Sequence, residues 1–181
     1  MNVIDNVIGD KYSQLIFDEC AKLPWTFVPD ISYGSEAKRN VPGFSHSFYL
    51  HEEFNNIEPK RIISHKYDLI TPMLLEAFDK ANIDANLNNI FRSRARLTLD
   101  RPELSESDRI DNIHVDYKIP HVVLIYYVNT VDGDTLIYDN GKIVERVSPK
   151  RGRCLLFNGS LKHTSTSPSL GPRIIINNNI R

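Results

Sequence analysis

From about residue 90 onward the chain is written in short runs of alternating or β-branched residues, most of them closed by residues that turn the backbone. The runs cover 92–98, 112–116, 121–128, 135–139, 142–147, 153–157, 161–166 and 173–180. Alternation with period two is the signature of a strand with one buried face. Asp132-Gly133, Asn140-Gly141, Pro149 with Gly152, and then Gly159 supply turn chemistry between many of them. Eight short strands in about 90 residues predict a mainly β chain of α+β type, an eight-stranded double-stranded β-helix or jelly roll.

The first half reads differently. Tyr12, Leu15, Ile16 and Cys20 recur at helical spacing within 9–23, with Asp10 placed to cap and Pro24 following. A second helix is expected over 61–82, with Ile70, Leu74, Leu75 and Phe78 as its apolar stripe and Pro72 as a kink or restart. Between them, residues 29–47 are rich in Gly, Ser and charge, which suits a mobile loop. The expectation is a single domain over 1–181, in which a helix-and-loop part (1–90) packs on the outside of a jelly-roll core (91–181).

Charge and cysteine usage narrow the setting. The net charge of -1 lacks the basic excess that wraps a nucleic-acid duplex, so no nucleic-acid partner is expected. Cys20 and Cys154 match no zinc or redox spacing and read as reduced, buried thiols. The first ten residues carry acids and no long apolar run, unlike a signal peptide. No run approaches the roughly 18 apolar residues of a membrane span. A soluble, cytoplasmic protein with no membrane partner is expected.

His114-Val115-Asp116 sets an imidazole and a carboxylate two residues apart. On a strand such side chains share a face, roughly 6–7 Å apart, and both can reach one metal. A third ligand from a distant strand would complete two histidines and one carboxylate, leaving positions open as in ferrous oxygenases. The motif alone is weak, because six histidines and 14 aspartates give about 0.5 chance matches. His51-Glu52-Glu53 is a decoy: it lies in polar sequence, and on a helix its i and i+2 side chains would point about 200° apart. His163, on the seventh expected strand, and Arg173, ten residues later, raise the specificity. A jelly roll packs early and late strands side by side, so these positions can converge on one cavity.

With these residues in place, the chain resembles the 2-oxoglutarate and Fe(II)-dependent dioxygenase superfamily, and within it the prolyl-4-hydroxylase-like branch. The resemblance covers about residues 92–181 and rests on IHVDY, HVVLIYYVNTVDGDTLIYD, PKRGRCLLFNGSLKHTS and GPRIIINNN, in that order. It implies that His114, Asp116 and His163 bind Fe(II) and that Arg173 pairs with the distal carboxylate of 2-oxoglutarate. Tyr127 and Thr135 would support that carboxylate. O2 would be the second co-substrate, with succinate and CO2 as co-products. A planar guanidinium suits a carboxylate held in a two-point fork. Residues 30–47, with Gly34 and Gly43, are expected to be a lid that orders over bound substrate.

The departures concern substrate. The turn reads Asp-Gly-Asp-Thr where the family often has Gly-Gly-Glu-Thr, and the first strand lacks a tyrosine common in prolyl hydroxylases. Arg92, Arg94 and Arg96 share one face of that strand instead. Facing inward they would meet substrate or co-substrate; facing outward they would be a solvated stripe. Arg94, Arg96, His121, Asn177 and Asn179 are the candidates for touching substrate. The favoured substrate is a peptide or protein side chain, with proline leading. A free amino acid or other small molecule is the alternative, with a nucleobase behind it. From a different class, a cupin-like metal-binding module without turnover would share the fold. It would more often gather three histidines and a glutamate, and it leaves Arg173 without a role.

Overall fold

Side-chain alternation sorts the strands of this chain into two faces, one toward helices and one toward a second sheet. The computed structural model describes residues 1–32, 40–50 and 61–181, with Arg61 and Ile62 described by backbone alone. The strands are β1 (Asn2–Ile4), β2 (Thr26–Val28), β3 (Gly43–Leu50), β4 (Arg61–Ile62), β5 (Ile90–Thr98), β6 (Val122–Tyr127), β7 (Thr135–Asp139), β8 (Lys142–Val147), β9 (Cys154–Asn158), β10 (Lys162–Ser165) and β11 (Arg173–Ile180). The helices are α1 (Asp10–Cys20) and α2 (Tyr67–Ala81). The larger sheet runs β1-β9-β6-β11-β5-β3-β2, with β4 on β3, and the smaller runs β10-β7-β8.

On the inner face of the larger sheet, Val123, Ile125 and Tyr127 of β6 lie beside Asn179, Asn177 and Ile175 of β11. The apolar members of that face join Leu155 and Phe157 of β9 and Ile137 and Val147 of the smaller sheet in one buried cluster. The outer face carries Leu124, Tyr126, Leu156, Ile174 and Ile176, which pack against Ile16 and Cys20 of α1 and Ile70, Met73, Leu74 and Phe78 of α2. Each such side chain contributes about 1.5–3 kcal/mol when fully buried. The fold is therefore mainly β, two facing sheets with two helices on the outside.

Several local expectations are corrected. Gly9, not Asp10, is the N-cap of α1, and Asp10 sits in the first turn, where a carboxylate favours the helix dipole. Residues 61–62 form a strand on β3, and α2 begins only at Tyr67, running unbroken through Pro72. Leu75 is 48 % exposed, and the buried stripe is Ile70, Met73, Leu74, Ala77 and Phe78, the true i, i+3, i+4, i+7, i+8 set. The expected loop over 29–47 gives way at Gly43 to the eight-residue strand β3. The expected lid falls partly on residues 33–39, including Gly34, which lie outside the described residues, as does His51-Glu52-Glu53. No strand forms over 112–116; His114 makes an isolated antiparallel bridge to His163, and Ile110 makes another to Thr166. Asn140 and Gly141 adopt positive φ of 48° and 76°, the pair of left-handed residues that a tight hairpin between β7 and β8 requires. Among the described residues no helix is long and apolar enough to cross a membrane.

Candidate active site

The His114–His163 bridge brings the two halves of the expected metal set together. Paired backbone hydrogen bonds, His114 N to His163 O at 3.0 Å and His163 N to His114 O at 2.8 Å, lock the register. One ligand atom from each of His114, Asp116 and His163 lies within 4.8 Å of the others. Asp116 Oδ1 is 3.9 Å from His114 Nε2 and 4.0 Å from His163 Nε2.

Each histidine is oriented by its far nitrogen. His114 Nδ1 lies 2.9 Å from the carbonyl of Asn112, and His163 Nδ1 lies 3.3 Å from that of Leu161. A carbonyl can only accept, so Nδ1 carries the proton and Nε2 presents its lone pair inward. Burial pushes the His163 pKa down to about 4, and burial also lowers that of His114, so both rings stay neutral at pH 7. His163 Nε2 is buried with no hydrogen-bond partner. An orphaned lone pair beside a carboxylate is what a cation would satisfy.

Asp116 is held from one side only. Its Oδ2 accepts hydrogen bonds from Asn177 Nδ2 at 3.1 Å and Asn179 Nδ2 at 2.9 Å. Arg92 Nη2 lies 2.9 Å from the same oxygen, an ion pair whose angle falls short of a hydrogen bond. Arg92 Nε is tied to Asn179 Oδ1 at 2.7 Å, and its guanidinium lies 4.6 Å over the Tyr117 ring. Burial alone would raise the carboxyl pKa; Arg92, His163, Arg96 and the Asn179 amide outweigh it and hold the group well below the usual carboxylate range. With Oδ2 occupied, Oδ1 is left for a metal.

A cavity runs from His114 and His163 past Ile125, Ile175 and Arg96 to Thr135 and Arg173. Arg173 is 3 % exposed and donates from Nη2 to Thr135 Oγ1 at 2.7 Å. Tyr127 donates its hydroxyl to the same Oγ1 at 2.8 Å. With two donors on its oxygen, Thr135 has its own proton left to give. Arg173 Nε is buried without a hydrogen-bond partner. Burial lowers the Arg173 pKa, opposed by Tyr127 and Asp111. Two donors without protein acceptors at the floor of a cavity can receive a carboxylate.

All six residues expected at the metal and the co-substrate converge here. Asn177 and Asn179 serve as holders of Asp116 in this arrangement. Arg96 lines the cavity, and Arg94 is next along the same strand face. His121 is displaced: it lies beyond Val123 at the far end of the inner column, against Phe91 and Tyr117, and does not line the cavity. Gly159 packs so closely on its ring that a Cβ there would collide with it. Arg92, expected with its two neighbours either at the substrate or on a solvated stripe, instead pairs with Asp116. One participant has no counterpart in the sequence reading: Asp111, a buried cavity-lining carboxylate held by Ser165 at 3.0 Å and Ser167 at 2.7 Å. Its only signal was the Ser/Thr run that follows His163.

Two facing sheets with this triad between them define a class: the chain has the fold of the 2-oxoglutarate–Fe(II) oxygenases, prolyl-4-hydroxylases among them. An oxidoreductase of the 2OG-Fe(II) oxygenase family from Burkholderia pseudomallei matches with a TM-score of 0.74 at 12 % identity, over 98 % of this chain and 83 % of that one. A Pseudomonas putida prolyl-4-hydroxylase matches at 0.60 and 12 %, covering 99 % and 91 %. HygX from Streptomyces hygroscopicus, solved with nickel and 2-oxoglutarate bound, matches at 0.56 and 14 %, covering 98 % and 80 %. At these identities it is the fold that is shared. No protein-family model and no curated protein sequence matches the chain.

Proposed function

We propose that this protein is a 2-oxoglutarate- and Fe(II)-dependent oxygenase, built as a double-stranded β-helix, that hydroxylates an unactivated C–H bond. The observation that carries the reading is the buried, partnerless Nε2 of His163 facing Asp116 Oδ1, in a cavity whose other end holds a buried, under-satisfied Arg173. His114, Asp116 and His163 would hold the metal, and Arg173 with Thr135 and Tyr127 would take the distal carboxylate of 2-oxoglutarate. A ferrous ion there would couple O2 and the decarboxylation of 2-oxoglutarate to insertion of one oxygen atom into a substrate C–H bond, giving succinate and CO2. The protein's own part is to orient co-substrate and substrate and to keep water out. A cupin-like module is disfavoured, because the metal-ready group among the described residues has two histidines and one aspartate. Cys20 and Cys154 are buried.

The test is anaerobic Mn(II) titration of the wild type and of His114→Ala, Asp116→Ala and His163→Ala, followed by calorimetry of 2-oxoglutarate on the Mn(II)-loaded wild type and Arg173→Ala. Each ligand variant is expected to lose metal affinity. Arg173→Ala should keep the metal and lose about 30-fold or more in co-substrate affinity. Equal metal affinity in all four proteins would overturn the assignment.

For the substrate, two readings compete. The prolyl-4-hydroxylase among the fold neighbours supports a peptidyl prolyl group. HygX, also solved with hygromycin B bound, shows that a neighbour can take a small molecule. The inward-facing arginines of β5 favour the small molecule.

A further inference from the structure

The β5 register sets Arg92 opposite Asn179, Arg94 opposite Asn177 and Arg96 opposite Ile175 of β11. All three arginines therefore project from the face that carries the candidate site. Their surroundings differ. Arg92 is committed to Asp116, Asn179 and the Tyr117 ring. Arg96 lines the cavity shared by His114, His163 and Arg173. Arg94 stands between them with Nε buried and no hydrogen-bond partner.

No carboxylate among the described residues is free to answer Arg94. The one it senses is Asp116, whose Oδ2 already faces Arg92, Asn177 and Asn179 and whose Oδ1 faces the histidines. Burial, with Arg96 and Arg92 alongside, pushes the Arg94 pKa down. A guanidinium does not escape by losing its proton, so a half-buried one with no carboxylate partner among the described residues is costly until an anion arrives. On the β3 side its neighbours are small: Ser47 pairs with Arg94, Ser45 with Arg96 and Gly43 with Thr98. One strand spacing, about 4.8 Å, separates Arg94's backbone from that of Asn177, which touches the metal-facing aspartate.

We propose that Arg94 receives a carboxylate of the substrate, and that the enzyme acts on a small free carboxylic acid, such as an amino acid, in preference to a side chain within a peptide. This rests on the oxygenase reading above. One planar fork matches one carboxylate in geometry and charge, whereas a phosphate dianion calls for two or more free cations. A peptide would bring a neutral amide to the same place. An acid pinned at Arg94 has its nearby carbons within a small molecule's length of the metal.

The experiment uses the full chain loaded with Mn(II) and saturated with 2-oxoglutarate under argon, so that the Arg173 end is filled. The probes are the free amino acids, a set of aliphatic and hydroxy monocarboxylic acids, the carboxamides of the same compounds, small phosphate monoesters, and a proline-containing peptide with blocked ends. Binding near the metal is read as Mn(II)-induced broadening of each probe's proton NMR lines. At least one free acid should broaden while its carboxamide does not. Arg94→Gln should weaken that acid about 30-fold or more. Arg94→Lys should recover part of the loss, and both variants should hold Mn(II) and 2-oxoglutarate as the wild type does. Equal broadening by acids in the Arg94→Gln protein, equal broadening by the carboxamides, or broadening by phosphates or peptide alone would overturn the proposal. A wild type that holds Mn(II) and 2-oxoglutarate yet broadens no acid would overturn this proposal by itself. A wild type that holds neither would strike the oxygenase reading instead.

Discussion

Asp116 is the residue on which the neighbours of the triad converge. Two amides and a guanidinium share its Oδ2, which fixes the carboxylate in one orientation and turns Oδ1 toward the two histidines. Arg92 would thus act on a metal it never touches. Arg92→Leu should lower Mn(II) affinity by about 10–100-fold, the usual cost of losing a partner that orients a ligand. Arg92→Lys should restore part of it, and co-substrate affinity in the metal-saturated protein should change little. Unchanged metal affinity in Arg92→Leu would mean that the two asparagines suffice. Alternation in the sequence showed that Arg92, Arg94 and Arg96 share a face, yet period two is silent on which face is inside. That was settled only by long-range pairing of β5 with β11, and the same pairing turned Asn177 and Asn179 into holders of Asp116.

At the scale of elements, β3 is the instructive case. Gly-Phe-Ser-His-Ser has the composition of a loop, because one face of this strand is occupied by Gly43, Ser45 and Ser47. Those small residues pair with the arginine-bearing face of β5, so the feature that hid the strand is tied to the site. Gly43 itself is needed for contact: a Cβ there would lie 2.5 Å from the Leu97 carbonyl oxygen and 2.7 Å from Ile31 Cδ1. Gly43→Ala should destabilise the protein by about 1–3 kcal/mol through overpacking, read as a lower midpoint in urea with little change in slope. A neutral substitution would show that β3 can shift away from β5. The later strands were legible because apolar alternation and turn residues agreed, as at Asn140-Gly141. The short strands β1, β2 and β4, with two or three residues each, carry too few side chains to show any period. The alternation around His114 predicts a strand, yet the segment forms only single bridges to the chain around β10.

Across the whole molecule the site is assembled from both sheets. His163 and Thr135 come from the smaller one, and Arg173, Asn177, Asn179 and Arg92 from the larger. A metal with 2-oxoglutarate would therefore tie the sheets together, and its binding energy would appear as global stability. At 100 times Kd the gain is about 2.7 kcal/mol. For a chain of this length that raises Tm by about 5–10 °C. Mn(II) and 2-oxoglutarate together should give such a rise in the wild type, removed by EDTA and largely absent in His163→Ala. An equal rise in that variant would place the binding elsewhere.

The position of β11 in the larger sheet has a consequence for how the chain is made. It lies between β5 and β6, and both pair with it along most of its length. Synthesis runs from the N-terminus, so β5 and β6 both leave the ribosome before the strand that joins them does. Until residue 173 and its successors emerge, β5 and β6 each present a bare hydrogen-bonding edge, one of them the apolar run Val-Val-Leu-Ile-Tyr-Tyr. A pause in translation that holds β11 back would prolong the exposure of these edges, and the metal ligands, though already synthesised, would have no assembled wall to stand against.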